Sequence, residues 1–266
     1  MNHNEFKELL WQKARELYRP MPWREDTQPY YVLVSELMLQ QTQVDRVIPK
    51  FETFIARFPD IQTLASASLS DVLVLWNGLG YNRRAKYLHD GAKKIATDYD
   101  GVFPETKEEL LSLPGIGPGT AGALLVYAFN TPTVFIETNV RSVYFYHFFS
   151  DGDKVNDKEL REYVEATIDH EHPREFYWAL MDYGTWLKKN KLGNITQSMH
   201  YKKQSALKGS VREVRGKIIT LLGSGEMPID ALREQFDNDG RYDKALSGLL
   251  RDGLISRTAD SFHLTK

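Results

Sequence analysis

An all-α fold ending in a small unit of different build is predicted by three observations. Apolar residues recur at helical spacing through most of the first 190 positions. No stretch there sustains the two-residue alternation of a strand. The composition then changes abruptly before a final segment that closes on two short apolar runs.

The elements follow in order. Phe6, Leu9, Leu10 and Ala14 share one helical face, and the run stops at a Pro20-Met21-Pro22 turn. Val32 to Met38 is an apolar helical run, and Val44, Val47, Ile48, Phe51 and Phe54 repeat at helical spacing. Phe58-Pro59-Asp60, Asn77-Gly78-Leu79-Gly80 and Asp98 to Pro104 read as turns. Further helices are expected at 84–97, 106–112, 119–130, 138–149, 157–168 and 174–188, which together make a helical bundle over residues 1–190.

Between Lys188 and Lys217 nine basic residues face one acid, Glu213, and Gly193, Asn194 and Gly209 interrupt any helix. Residues 191–209 are therefore expected to form a basic connector, either a solvated surface or a contact to phosphate. Residues 210–266 make a second unit: helices at Val211–Leu222, Pro228–Phe236 and Tyr242–Asp252, then a hairpin of Leu254–Arg257 and Ser261–Leu264. Three helices and a hairpin resemble a winged helix-turn-helix, whose third helix would offer Arg241, Lys244, Ser247 and Arg251 to a groove. Nine bases and nine acids over 209–266 give a weak electrostatic footprint for DNA, so a protein-contact role stands beside a DNA role.

With 266 residues and 42% hydrophobic content, the chain can bury a sizeable core. A net charge of -2 means that any positive surface is local. The absence of Cys excludes disulfides, thiol nucleophiles and cysteine-held zinc or iron–sulfur groups. The polar start, Met1-Asn2-His3-Asn4-Glu5, has no signal-peptide core and no apolar stretch approaches membrane-spanning length. A soluble, cytoplasmic, monomeric protein without membrane contact is expected.

Two constellations carry chemistry. Leu113-Pro114-Gly115-Ile116-Gly117-Pro118-Gly119-Thr120-Ala121 lies between helical runs and reads as a tight interhelical hairpin. Its glycines let backbone approach a ligand, and its amides open a helix, where an anion such as a nucleic-acid phosphate is favoured. An acid, Glu137, follows sixteen positions after Ala121. The second constellation is Glu36, charged within an apolar helical run and followed by Gln40, Gln41, Thr42 and Gln43. A glutamate in apolar surroundings acquires a raised pKa suited to a general acid, while the amides can bond base edges or fill the gap left by an extruded base. The plain alternatives are a surface glutamate at 36 and a helix cap at 137.

Residues 20–187 resemble the helix-hairpin-helix (HhH-GPD) DNA glycosylase superfamily, and within it the MutY adenine glycosylases. The matching pieces are Pro22-Trp23-Arg24, Ser35-Glu36-Leu37-Met38-Leu39-Gln40-Gln41-Thr42-Gln43, Trp76-Asn77-Gly78-Leu79-Gly80-Tyr81, Leu113-Pro114-Gly115-Ile116-Gly117 with Thr120-Ala121-Gly122, and Asn139-Val140-Arg141-Ser142-Val143. The resemblance implies a two-lobed helical fold acting on double-stranded DNA that contains a mismatched or damaged base. It implies Glu36 as general acid, Glu137 as the carboxylate beneath the sugar and Asn139 as its orienting neighbour. Arg24 falls in the base pocket with Gln40, Tyr81, Asn82 and Gly119, and Gln41 is the wedge. Gly115, Gly117, Gly119 and Thr120 are expected to hold phosphate, with a monovalent cation possible at the hairpin and no other cofactor.

Four departures from the family pattern shape the expectations. Glu137 replaces an Asp, which lengthens the carboxylate by one methylene. Gly119 stands where bifunctional relatives carry a nucleophilic Lys, so hydrolysis without strand cleavage and a roomier pocket are expected. The four-cysteine loop is missing, and Lys202, Lys203 and Lys208 of the connector are expected to contact phosphate in its stead. Asn82 replaces an aromatic residue, and the C-terminal 8-oxoguanine-reading domain gives way to the small helical unit. The readings left open are excision of adenine opposite 8-oxoguanine or guanine, excision of another base (thymine or uracil opposite guanine, or a modified base), and a DNA-binding module without catalysis.

Overall fold

A computed structural model of the chain describes residues 1–150, 153–193, 195–199 and 205–266. Its helices are α1 (His3–Leu17), α2 (Pro22–Glu25), α3 (Pro29–Leu39), α4 (Val44–Arg57), α5 (Ile61–Ser66), α6 (Leu69–Trp76), α7 (Arg83–Asp98), α8 (Lys107–Leu111), α9 (Pro118–Tyr127), α10 (Thr138–Phe148), α11 (Asp157–Thr167), α12 (Pro173–Lys189), α13 (Val211–Leu222), α14 (Ile229–Glu234) and α15 (Tyr242–Arg251). Three short strands are β1 (Met227–Pro228), β2 (Ile255–Arg257) and β3 (Ser261–Leu264). The chain divides into two units, neither continuous in sequence. One comprises Met1–Val32, Glu105–Ser112 and Ile116–Lys203, and the other Leu33–Pro104, Leu113–Gly115 and Gln204–Lys266.

In the first unit α12 packs against α1 and α10. Asn2 caps α1, accepting from the Asn4 and Glu5 amides at 3.0 Å, while the Glu5 carboxylate accepts from the Asn2 amide in return. The helix then delivers Phe6 into an aromatic cluster, with ring centroids 5.0 Å from Tyr144 and 5.0 Å from Phe148. The expected Pro20-Met21-Pro22 turn is followed by a helical turn, because Pro22 occupies the first position of α2, where a missing N–H costs nothing.

In the second unit α7 packs against α5 and α6. Val47, Phe51 and Phe54 of α4 are buried at the spacing the sequence predicts. The C-terminal residues belong to the same unit: α13 packs against α15 and α6, and β3 also lies against α6. The expected hairpin proves to be a three-stranded antiparallel sheet of order β1-β3-β2, with Met227 opposite Phe262 and Ile255 opposite Leu264. Pro228 is thus in an edge strand, the sheet position that tolerates its missing donor, and α14 starts one residue later.

Candidate active site

Glu36 is half-buried on α3, between fully buried Ser35 and Leu37. Past the end of α3 the Thr42 amide donates to Leu39 O at 3.0 Å, and exposed Gln41 takes the left-handed conformation, φ 58°. The Asn77–Tyr81 turn carries another left-handed non-glycine residue, Tyr81 at φ 47°, after Gly78 and Gly80. Such backbone is uncommon for residues other than glycine and persists only where surroundings enforce it.

Arg84 enforces it here. Its Nη1 donates to the carbonyls of Leu37 (2.6 Å), Met38 (3.0 Å) and Gln40 (2.6 Å). Its Nη2 donates to Thr42 Oγ1 (3.2 Å) and to the carbonyls of Leu79 (3.2 Å) and Gly80 (2.9 Å). One buried guanidinium therefore ties the Gln40–Thr42 loop to the Leu79–Tyr81 turn. Burial without a carboxylate partner pushes its pKa down to about 10. In the sequence nothing sets Arg84 apart from the adjacent Arg83, and only its long-range acceptors reveal the role.

At the hairpin, Leu113 and Ile116 are buried anchors. Gly115 adopts φ +75°, and a Cβ there would lie 2.6 Å from Tyr87 Cβ, so both conformation and space demand glycine. Gly117 is the N-cap of α9 and Pro118 opens the helix, whose first bond runs from Ala121 N to Gly117 O at 2.9 Å. The amides of Gly119 and Thr120 precede that bond, at the helix end where an anion is favoured. A Cβ at Gly117 or Gly119 would meet no atom within 4 Å.

Glu137 follows a firmly pinned segment. Phe135 stacks on Tyr177 at 4.1 Å, its amide donates to the Tyr177 hydroxyl at 3.0 Å, and that hydroxyl donates back to Phe135 O at 3.2 Å. Gly122 of α9 makes room for the ring, since a Cβ there would sit 2.6 Å from Phe135 Cβ. Two residues on, Glu137 occupies the N-cap position of α10, yet its side chain makes no capping hydrogen bond. That removes the helix-cap alternative. Although its own surface is only half covered, protein surrounds it densely at longer range, and desolvation raises its pKa against the lowering pull of Arg141. Arg141 is itself committed to Asp157, donating at 3.0 and 2.7 Å.

Asn139 is the second residue of α10, with Nδ2 donating to Met181 Sδ at 3.6 Å. Its backbone abuts Gly184 of α12: a Cβ on Gly184 would stand 2.7 Å from Asn139 O and 2.9 Å from its Cα. Gly184→Ala is expected to destabilise the protein by about 1–3 kcal/mol, because rigid backbone must move. Chemical denaturation checks this, and stability equal to wild type would mean that α10 and α12 separate freely.

Arg24 is buried beside Asp182, which sequence reasoning missed. Its Nη1 donates to Asp182 Oδ2 at 2.7 Å and Nη2 to Oδ1 at 3.1 Å, while Arg19 Nε donates to Oδ1 at 2.7 Å. Nη1 also donates to Arg19 O at 3.0 Å. No local signal marks this pair, since Asp182 sits 158 residues from Arg24 in an ordinary helical pattern.

Gln40 and Asn82 are half-buried and Tyr81 is 37% exposed. Lys208 is exposed, whereas Lys202 and Lys203 lie outside the described residues. Lys244, Ser247 and Arg251 of α15 are not buried, but Arg241 is engaged by Asp239 at 2.6 Å and Glu213 at 3.0 Å. Among the described residues no group of three His, Asp or Glu side chains is placed to hold a metal ion, and no helix is long and apolar enough to cross a membrane.

Residues 34–168 match the model of the HhH-GPD superfamily base excision DNA repair protein. An adenine DNA glycosylase of Mycobacterium tuberculosis is 34% identical over 91% of this chain and 88% of its own length. One from Buchnera aphidicola is 39% identical over 66% of this chain, which spans only 51% of that relative. Among solved structures, a thermostable thymine-DNA glycosylase shares the fold with a TM-score of 0.61 at 24% identity, over 68% of this chain and 87% of that one. An endonuclease III bound to DNA in a trapped covalent intermediate shares it with a TM-score of 0.60 at 18% identity, over 70% of this chain and 87% of that one. By its sequence match and by its relatives, this chain belongs to the HhH-GPD superfamily of base excision DNA repair proteins.

Proposed function

We propose that the protein is a monofunctional DNA glycosylase that hydrolyses the N-glycosidic bond of adenine, extruded from a duplex opposite 8-oxoguanine or guanine. The observation that carries this reading is Glu137: an acid at a helix start that makes no cap, with a pKa raised by desolvation and a backbone pinned by Phe135 and Tyr177. Structural duty does not account for it, and carboxylates poised in this way serve developing positive charge. The named activity of the mycobacterial and Buchnera relatives supports adenine as the base.

Glu36, as the acid, donates its proton to a ring nitrogen of the purine. The bond from C1′ to the base breaks, its electron pair leaves with the base, and the sugar acquires oxocarbenium character. The Glu137 carboxylate stabilises that cation, and a raised pKa also suits it to take the proton of the water that adds to C1′. The products are free base and an abasic site. Gly119 supplies no amine for a Schiff base, so the strand stays intact. Gly115, Gly117, Gly119 and Thr120 bind the backbone, with exposed Lys208 and the neighbouring Lys202 and Lys203 adding charge. Gln41 fills the vacated position in the stack.

The free space at Gly119 favours a second reading, the same reaction on another base. Chromatography of bases released from duplexes carrying adenine, thymine or uracil opposite guanine or 8-oxoguanine tests both. Free adenine is expected, with strand breaks only after alkali. Release of a pyrimidine alone would transfer the assignment to the second reading. Tight binding without any release would leave a DNA-binding module.

A further inference from the structure

Tyr81 belongs to a stack of alternating aromatic rings and guanidinium groups that runs from the core to the surface. The Arg84 guanidinium lies 5.4 Å from the Trp76 ring centroid and 5.6 Å from that of Tyr81. Arg212, from the first turn of α13, lies 4.8 Å from the same Tyr81 ring. Trp76 is fully buried, Arg84 is 6% exposed and Tyr81 is 37% exposed. The outermost member of the stack thus comes from the C-terminal residues and meets the turn across 131 positions of sequence.

Arg212 is committed to this contact. It donates to the Tyr81 hydroxyl, and through Nη2 to Ser205 O at 2.6 Å and Ser205 Oγ at 3.2 Å. Among the described residues no carboxylate forms an ion pair with it. Neighbouring contacts bring the same two segments together: Thr220 Oγ1 donates to Asn77 Oδ1 at 3.1 Å, and Arg83 Nε lies 3.8 Å from Asp252 Oδ1. Tyr81 needs such a hold. Its left-handed backbone is disfavoured for an aromatic residue, and its ring projects to the surface beside Asn82. A guanidinium that stacks on the ring and bonds its hydroxyl restrains both position and tilt.

We propose that Arg212 is a positioning residue for the DNA-entering turn: it makes the C-terminal residues 210–266 part of the device by which Tyr81 and Asn82 meet the base opposite the excised one. This rests on the assignment of Tyr81, Asn82 and Gln41 to the duplex-facing edge of a glycosylase. Loss of Arg212 removes one of the two guanidinium groups set over the Tyr81 ring, together with the bond to its hydroxyl. The deficit should therefore appear in how the duplex is opened and in discrimination between partner bases, rather than in folding.

The test compares the full chain with Arg212→Ala and, as a control of equal charge change in the same unit, Arg257→Ala. Single-turnover excision of adenine is measured opposite 8-oxoguanine and opposite guanine. In parallel, 2-aminopurine beside a non-hydrolysable adenosine analogue reports unstacking by fluorescence. Arg212→Ala is expected to lose about three- to tenfold of the fluorescence response, and to change the ratio of the two excision rates by a similar factor. Arg257→Ala is expected to match wild type, and both variants to melt as wild type does. Tyr81→Phe, which deletes only the hydroxyl that Arg212 binds, is expected to show part of the same loss. A folded Arg212→Ala protein with wild-type fluorescence and an unchanged ratio would overturn the proposal. Should the wild-type protein release no base from any duplex, the glycosylase reading fails instead, and the fluorescence comparison still decides whether Arg212 positions the turn.

Discussion

Glu137→Gln is expected to lower base release by on the order of 10³-fold while leaving affinity for the same duplex nearly unchanged. The amide keeps the shape and polarity of the side chain but cannot supply the negative charge that the oxocarbenium-like sugar requires. Single-turnover release measured alongside equilibrium binding separates the two effects, and a variant with wild-type release would end the assignment. The same substitution should act on stability in the opposite direction. Desolvation raises the Glu137 pKa in the folded protein, so the native state binds more protons than the unfolded chain between the ordinary glutamate value and the raised one. Stability from this group is therefore full below the ordinary value and declines as pH rises through that window. A glutamine side chain has no proton to lose, so the variant should gain stability relative to wild type as pH rises from about 4, where a glutamate ionises, toward neutrality. Denaturant unfolding at several pH values reads this directly, and a constant difference across the range would mean that Glu137 is not held in a desolvated state.

Much of the helical order could be read from apolar spacing and from Pro and Gly punctuation. The hairpin glycines also announced themselves, because the strain that demands them is local: Gly115 must adopt positive φ where it touches Tyr87. What escaped the sequence are contacts between distant residues of ordinary local appearance. Asp182 sits in a plain helical pattern, and its burial against Arg24 and Arg19 depends on chain 158 and 163 residues away. Arg84 and Arg212 look like surface cations in basic stretches, yet one is buried among carbonyls and the other stacks on an aromatic ring. Strand β1 was illegible for a related reason. Two residues carry no periodicity, and only their partner Ser261–Phe262 makes them a strand. Glu137 lies between these cases: the motif marks its place, but only the pinned Phe135 and the missing cap show what structural duty it is spared.

Asp182→Asn should be the most destabilising single change considered, at about 3–5 kcal/mol. The carboxylate is 3% exposed and accepts two bonds from Arg24 and two from Arg19, counting the Arg19 amide at 3.3 Å. Arg24 has no route to solvent, being 7% exposed with its guanidinium 5.5 Å from the Tyr18 ring centroid and 5.3 Å from that of Trp178. An amide at 182 would turn an N–H toward guanidinium donors and leave the buried cation uncompensated. Arg19 differs, because its side chain is 34% exposed and can be hydrated once released. Replacing both partners, Arg24→Met with Asp182→Leu, should therefore cost less than Asp182→Asn alone, since the penalty comes from orphaning a charge rather than from losing the pair. Urea unfolding of the single and double variants gives the comparison. If Asp182→Asn lies within roughly 1 kcal/mol of wild type, or the double variant is the less stable one, the pair is not what holds Arg24 in place. The expected order bears on catalysis as well. In the proposed glycosylase reading Arg24, with both Nη atoms occupied, is a fixed wall of the base pocket, and Asp182 on α12 shares its helix with the Gly184 seat of Asn139. Loosening this pair should thus lower the excision rate through misplacement of groups that it never touches, and the double variant, which restores packing without charge, should recover stability more fully than activity.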